Sequence, residues 1–151
     1  MIDSFESTIE KELAEKGSFA ACAKGESMRP MLRGGSDVVI IEPLSEEVRK
    51  YDVILFKDEL SRYVLHRVIR KKNGKIITRG DNTYFTETVE RENVLGILTK
   101  YIKDGKSCSV NSFSYKFYSH CRVFFYPIRK IFVKIKRCVR ALFRKIFKKR
   151  K

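Results

Sequence analysis

The 151-residue chain contains no stretch of 18 consecutive apolar residues, so no segment of it reads as an ordinary transmembrane helix. Its first segment, MIDSFESTIEKELAEKG, has neither a basic n-region nor an apolar h-region, which excludes a cleavable export signal there. Cys22, Cys108, Cys121 and Cys138 form no C-x-x-C pair and have no histidine cluster nearby. Their scattered placement supports neither a metal site nor a disulfide framework, and they read as isolated small hydrophobes. No cofactor is expected, and no internal repeat is evident. Acidic residues are missing from one end: from Tyr115 to Lys151 there are 14 Lys or Arg and no Asp or Glu. The remaining 19 basic and 18 acidic residues nearly cancel. The net charge of +15 is therefore a property of the C-terminal segment, and partner-seeking charge is concentrated there.

What is present suffices for one domain with an appendage: 43% of the residues are hydrophobic, enough to build a core. A short helix is expected over about Ser4 to Lys16. Asp3 and Glu6 are placed to cap it, Phe5, Ile9 and Leu13 recur on one side, and Gly17 stops it. The period then changes. SFAACAK, VVII, DVILFK, RYVLHRVIR, KIITR and VLGILTKYI are short runs rich in β-branched and aromatic residues, separated by turn formers. They predict a mostly-β domain of at least six strands over residues 18–112, following an N-terminal helix at 1–17 and preceding an aromatic and basic segment at 113–151.

One hairpin has a register that its turn residues set. Asn73-Gly74 within KKNGK is the strongest short-range signal for a two-residue type I′ turn. An unbroken register about that turn sets His66 opposite Asp81, with Cβ atoms about 4.5–5.5 Å apart. An imidazole and a carboxylate so placed can meet. Ser27, His66 and Asp81 are then candidates for three roles in acyl transfer: nucleophile, proton carrier and holder of the imidazole tautomer. Each has a plainer reading: Ser27 as a turn hydroxyl, His66 as a part-buried strand residue beside Val64 and Val68, Asp81 as an Asx turn before Asn82. Nothing local brings Ser27 to the hairpin.

The ordered set GESMRPML, SDVVII, YDVILFK, YVLHRVI and TRGDN resembles the signal-peptidase-like serine peptidases, the family that includes the self-cleaving repressors. The resemblance covers about Cys22 to Leu98. It implies a signal-peptidase-type β-rich catalytic domain and a serine endopeptidase that cuts a peptide or a leader- or signal-type segment. In that family the serine of the SMxP box is the nucleophile, which falls on Ser27. The leader peptidases and repressors use a lysine base, whereas the branch similar to YVLHRVI uses a histidine, here His66. The aspartate of GDN falls on Asp81. A further acidic residue commonly follows in the histidine branch; Thr86 lies near that position, with Glu87 beside it. The Arg33–Asp37 turn is slightly longer than the family's compact GD. Lys57 lies in LFK, off the base position, and reads as a strand-end lysine. The chain shows the short N-terminal helix where signal peptidases place a membrane span. The resemblance also implies small residues near the scissile bond; Met28, beside Ser27, reads as core packing more than as pocket. The alternative function is a non-catalytic peptide- or membrane-binding module that keeps the fold.

Beyond Asn111, Pro127 suits the first turn of a helix. Ile128, Ile131, Phe132, Ile135, Val139, Leu142, Phe143 and Ile146 recur three or four apart, with Lys and Arg filling the other side. A helix with one apolar and one basic face fits an anionic membrane surface, a peripheral location expected on the cytoplasmic face or in the cytoplasm. Docking on the domain or a second subunit, and a nucleic-acid backbone, are the other readings; the near-neutral body and the apolar row weigh against nucleic acid.

Overall fold

The computed structural model describes residues 3–148, with side-chain surroundings given for residues 9–140 apart from 136 and 137. Helix α1 spans Asp3–Lys16 and ends at Gly17, whose φ of +67° belongs to the left-handed region that glycine enters without penalty. Ile9 and Leu13, four residues apart, are both buried. The roles read for Asp3, Phe5 and Glu6 lie outside the described side chains.

The body is mostly β. Strands β1 (Phe19–Cys22), β2 (Val38–Glu42), β3 (Val53–Lys57), β4 (Tyr63–Lys72), β5 (Lys75–Arg79), β6 (Glu87–Val89), β7 (Val94–Lys103) and β8 (Lys106–Ser109) form one eight-stranded antiparallel sheet. The order is β1-β2-β7-β3-β4-β5-β6, with β8 paired to β7. Every adjacent pair is antiparallel, as expected when breakers separate short runs and leave no room for crossover helices. β3 is buried on both faces: Val53 and Leu55 pack with Ile9, Leu13, Met31, Leu32 and Leu98, whereas Ile54 and Phe56 pack with Val48, Val68, Ile76 and Val94. That is the two-residue alternation of a central strand seen from both sides.

The β4–β5 turn is as the sequence predicts at its tip. Asn73 and Gly74 both have positive φ, 51° and 75°, as a type I′ turn requires. The register holds through Lys72↔Lys75, Lys71↔Ile76 and Arg70↔Ile77, then slips by one at a bulge, giving Val68↔Thr78 and Arg67↔Arg79. Because successive side chains leave opposite faces of a strand, a one-residue slip changes which face Asp81 shares with β4. The expected pairing of His66 with Asp81 is therefore corrected: past the bulge, Asp81 joins the face of Arg67.

Beyond the sheet the chain forms two helices, α2 (Phe113–Phe124) and α3 (Tyr126–Lys148). Ser112 caps α2, its hydroxyl accepting from the Tyr115 N–H at 3.3 Å. Tyr115 and Ser119 of α2 are buried against the body, so this helix is bound into the domain. Pro127 lies in the first turn of α3, where its missing N–H costs nothing. Among the described residues no helix is long and apolar enough to cross a membrane.

Candidate active site

Ser27 opens the turn that follows Gly25 and Glu26, half-buried, and leads into Met28, Met31 and Leu32, all of which are buried in the core. Core burial of three apolar side chains within five residues fixes the turn from below. Hydrogen bonds fix it from the side, because each carbonyl from Glu26 to Met31 has a donor. Asn82 donates its backbone N–H to Ser27 O at 2.6 Å and its side-chain amide to Glu26 O at 3.2 Å. Leu32 N–H donates to Met28 O, Arg122 to Arg29 O, and the Lys103 ammonium to both Pro30 O and Met31 O. The loop is closed at its stem where Gly34 lies against the backbone of Gly25, an approach that leaves no space for a Cβ. Asp37, completely buried, accepts from the Arg33 N–H at 2.8 Å and from the Arg33 guanidinium at 3.0 Å, so the longer Arg33–Asp37 turn is a closed, charge-paired unit.

His66 is on β4 and is 4% exposed. Its Nδ1 lies 2.5 Å from Glu87 Oε2, a carboxylate at the start of β6 whose side chain is 29% exposed. The opposite edge of the ring, Nε2, faces Gly80. A methyl group at Gly80 would stand 2.9 Å from His66 Nε2 and 2.7 Å from Ser27 O, so the imidazole edge and the Ser27 backbone both close on the space that a side chain would fill. Ser27 and His66 both border Gly80, and no direct hydrogen bond joins them among the described residues. Both line a cavity of about 520 Å³, together with Glu87, Met28, Leu32, Ala21 and Ala23. Met28 is thus core and cavity wall at once.

Asp81 is elsewhere. Arg67 donates Nε and Nη2 to its two carboxylate oxygens, each at 2.8 Å, and both residues are almost completely buried. Arg67 also donates Nη1 to Tyr51 O, Tyr115 Oη and Ser119 Oγ, while Tyr118 donates its hydroxyl to Asp81 at 3.1 Å. Burial alone would weaken the Arg67 charge, but the paired carboxylate outweighs it and holds the guanidinium above the ordinary arginine value. Burial, with the Asp81 charge beside it, likewise pushes the Tyr118 phenol up. Asp81 is a structural anion that joins β4 to α2, and the carboxylate that meets His66 is Glu87. The arginine next to His66 was the available signal for this: adjacent strand residues face opposite sides, so one carboxylate cannot serve both His66 and Arg67.

Lys57 pairs with Glu10 at 2.7 Å at the end of β3, close to the ring of Tyr63, and takes no part in the wall around Ser27. Among the described residues no group of histidine, cysteine and carboxylate side chains could hold a metal ion. No protein-family model and no curated protein matches the chain.

Proposed function

We propose that the protein is a serine endopeptidase of the signal-peptidase-like type in which Ser27 is the nucleophile, His66 the general base and Glu87 the carboxylate that orients it. The observation that carries this reading is the opposed environment of the two imidazole edges: Nδ1 is held by Glu87, and Nε2 is turned toward the Ser27 turn across Gly80. A carboxylate on Nδ1 selects the tautomer whose Nε2 lone pair accepts a proton. Ser27 Oγ attacks the scissile carbonyl carbon while Nε2 takes the hydroxyl proton; collapse of the tetrahedral intermediate breaks the C–N bond, and His66 returns that proton to the departing amine. Water, deprotonated by the same imidazole, then hydrolyses the Ser27 ester. Holding every carbonyl of the Ser27 turn in a hydrogen bond keeps the nucleophile from wandering, which is the preorganisation such chemistry needs.

The substrate on this reading is an extended polypeptide. β1 is an end strand of the sheet, and its Phe19, Ala21 and Cys22 border the cavity beside Ser27, so a peptide laid along β1 brings alternate side chains to an apolar wall. The small side chains of Ala21 and Ala23 leave the space in which a small residue before the cut would sit.

Labelling by a fluorophosphonate and hydrolysis of a peptide library test the assignment. Ser27→Ala is expected to abolish both while leaving the far-UV circular dichroism unchanged, and His66→Ala to come close to abolishing both. Lys57→Ala is expected to retain them. Full activity in Ser27→Ala would overturn the mechanism, and a folded native protein that binds peptides but shows no serine reactivity would establish the binding-module alternative.

A further inference from the structure

The two C-terminal helices carry apolar surface that the body does not use. In α2, the 100° advance per residue puts Tyr115, Tyr118 and Ser119 on one side, where they meet the sheet, and Phe113, Phe117 and Phe124 within about 40° of one another on the other. Those three phenylalanines are 82%, 63% and 75% exposed. In α3, the same geometry gathers Ile128, Ile131, Phe132, Ile135 and Val139 into a sector about 100° wide. All five are between 48% and 67% exposed. Leu142, Phe143 and Ile146 continue the spacing but lie outside the residues whose side chains are described. The first turn of α3 holds the body with other residues: Tyr126 donates its hydroxyl to Tyr84 O at 3.0 Å and sits under the Arg79 guanidinium, and Arg129 donates to Asp81 O at 3.2 Å. The apolar row is thus left outward by a helix that is already docked.

We infer that this row seats α3 in the interface of an anionic lipid membrane, parallel to its surface. Charge decides among the possible occupants. The chain from Tyr115 onward has 14 basic residues and no acidic one, so two copies packed row to row would bring like charges together with no carboxylate on either helix to pair them. Nucleic acid would satisfy the charge and leave five large apolar side chains in water. A lipid interface satisfies both, with the apolar row among acyl chains and Lys134 and Arg140, which flank it, reaching toward headgroup phosphates. Because Arg129 and Tyr126 hold the Asp81–Tyr84 loop, and Asn82 of that loop holds the Ser27 turn, the adsorbed helix keeps the cavity close to the bilayer. Membrane binding itself needs no serine reactivity, so the inference stands or falls apart from the peptidase reading.

The test is flotation of the full-length protein with phosphatidylcholine vesicles and with vesicles containing 30% phosphatidylglycerol, beside the variant Ile131→Glu/Ile135→Glu. Both positions are more than half exposed, so the variant is expected to fold, as far-UV circular dichroism would verify. The native protein should float with the anionic vesicles, and less so at high salt. The variant's partitioning should fall by at least about tenfold, from the loss of two apolar side chains and the gain of two negative charges. Equal flotation of the two proteins would overturn the inference. So would a native protein that ignores both vesicles while the substitutions convert an oligomer to a monomer, or one that ignores vesicles and binds an RNA or duplex oligonucleotide unchanged by the substitutions.

Discussion

Replacing Asp81 by asparagine tests whether its carboxylate serves the fold, as its pairing with Arg67 indicates, or the proposed chemistry. The substitution keeps the shape of the side chain and opens no cavity, so its effect is electrostatic. It removes the partner of an Arg67 guanidinium that is 1% exposed, and turns two 2.8 Å charge-assisted hydrogen bonds into contacts with a neutral amide, one half of which is itself a donor. An uncompensated buried charge of this kind costs about 3–5 kcal/mol. Set against a total of about 5–15 kcal/mol for an ordinary domain, that is enough to bring the protein close to its unfolding threshold. Urea denaturation followed by circular dichroism measures the loss directly. Fluorophosphonate labelling, corrected for the folded fraction, should retain most of its native rate. Glu87→Gln is the matched control: its carboxylate is partly exposed, so stability should change by no more than about 1 kcal/mol, whereas labelling should slow on the order of a hundredfold as His66 loses the group that fixes its tautomer. An Asp81→Asn protein as stable as the native one but unlabelled, beside a normally labelled Glu87→Gln protein, would refute the assignment and return Asp81 to the chemistry.

Two further changes probe the frame around Ser27. Gly80→Ala places a methyl group within 3 Å of both His66 Nε2 and Ser27 O, neither of which can yield without moving the site, so labelling should fall at least about tenfold with only a modest drop in the urea midpoint; native labelling would show that the Ser27 turn and His66 are not both held against Gly80. Asp37→Asn tests the closed turn by its pH dependence. Burial would raise the Asp37 pKa, but the hydrogen bonds from Arg33 outweigh it and leave it below the ordinary carboxylate value, so its stabilisation is complete above about pH 3.9 and is lost as pH falls through the lower folded value. The difference in urea midpoint between native and Asp37→Asn protein should therefore be largest near neutrality and shrink in acid below about pH 3.9; a difference that grows on acidification would refute it.

The sheet was legible because its signals are local. Alternating β-branched runs and the Asn73-Gly74 turn need only neighbouring residues to act, and the register read from that turn holds as far as Arg70. It fails beyond because a bulge responds to twist and packing over the whole sheet, for which the β4 sequence carries no distinct mark. Ser27 and His66 are legible as chemistry-bearing residues in an ordered motif set, and the structure brings them to one cavity wall. The resemblance points to an acidic residue near Thr86 and Glu87, but that Glu87 reaches His66 follows from the β5–β6 pairing, Thr78 opposite Glu87, a contact set by strand order. Helix α2 was hidden for another reason. Its aromatic composition resembles a strand, and only the Ser112 cap and the inward trio of Tyr115, Tyr118 and Ser119 reveal the helical period.

The Gly-Asp-Asn segment joins several parts of the fold at one turn. Its three residues point in three directions because the chain leaves β5 and turns at once. Gly80, having no side chain, lets the imidazole edge of His66 approach the Ser27 backbone. Asp81 turns inward to Arg67 and Tyr118, and offers its own carbonyl to Arg129. Asn82 turns back to hold two carbonyls of the Ser27 turn. His66, the Ser27 turn, the buried ion pair and the C-terminal helix are thereby fastened at one point, with only two residues of backbone between the Arg129 contact and the Ser27 contact. A partner seated on the exposed face of α3 would thus lie on a helix whose Arg129 holds the same short loop that holds the Ser27 turn.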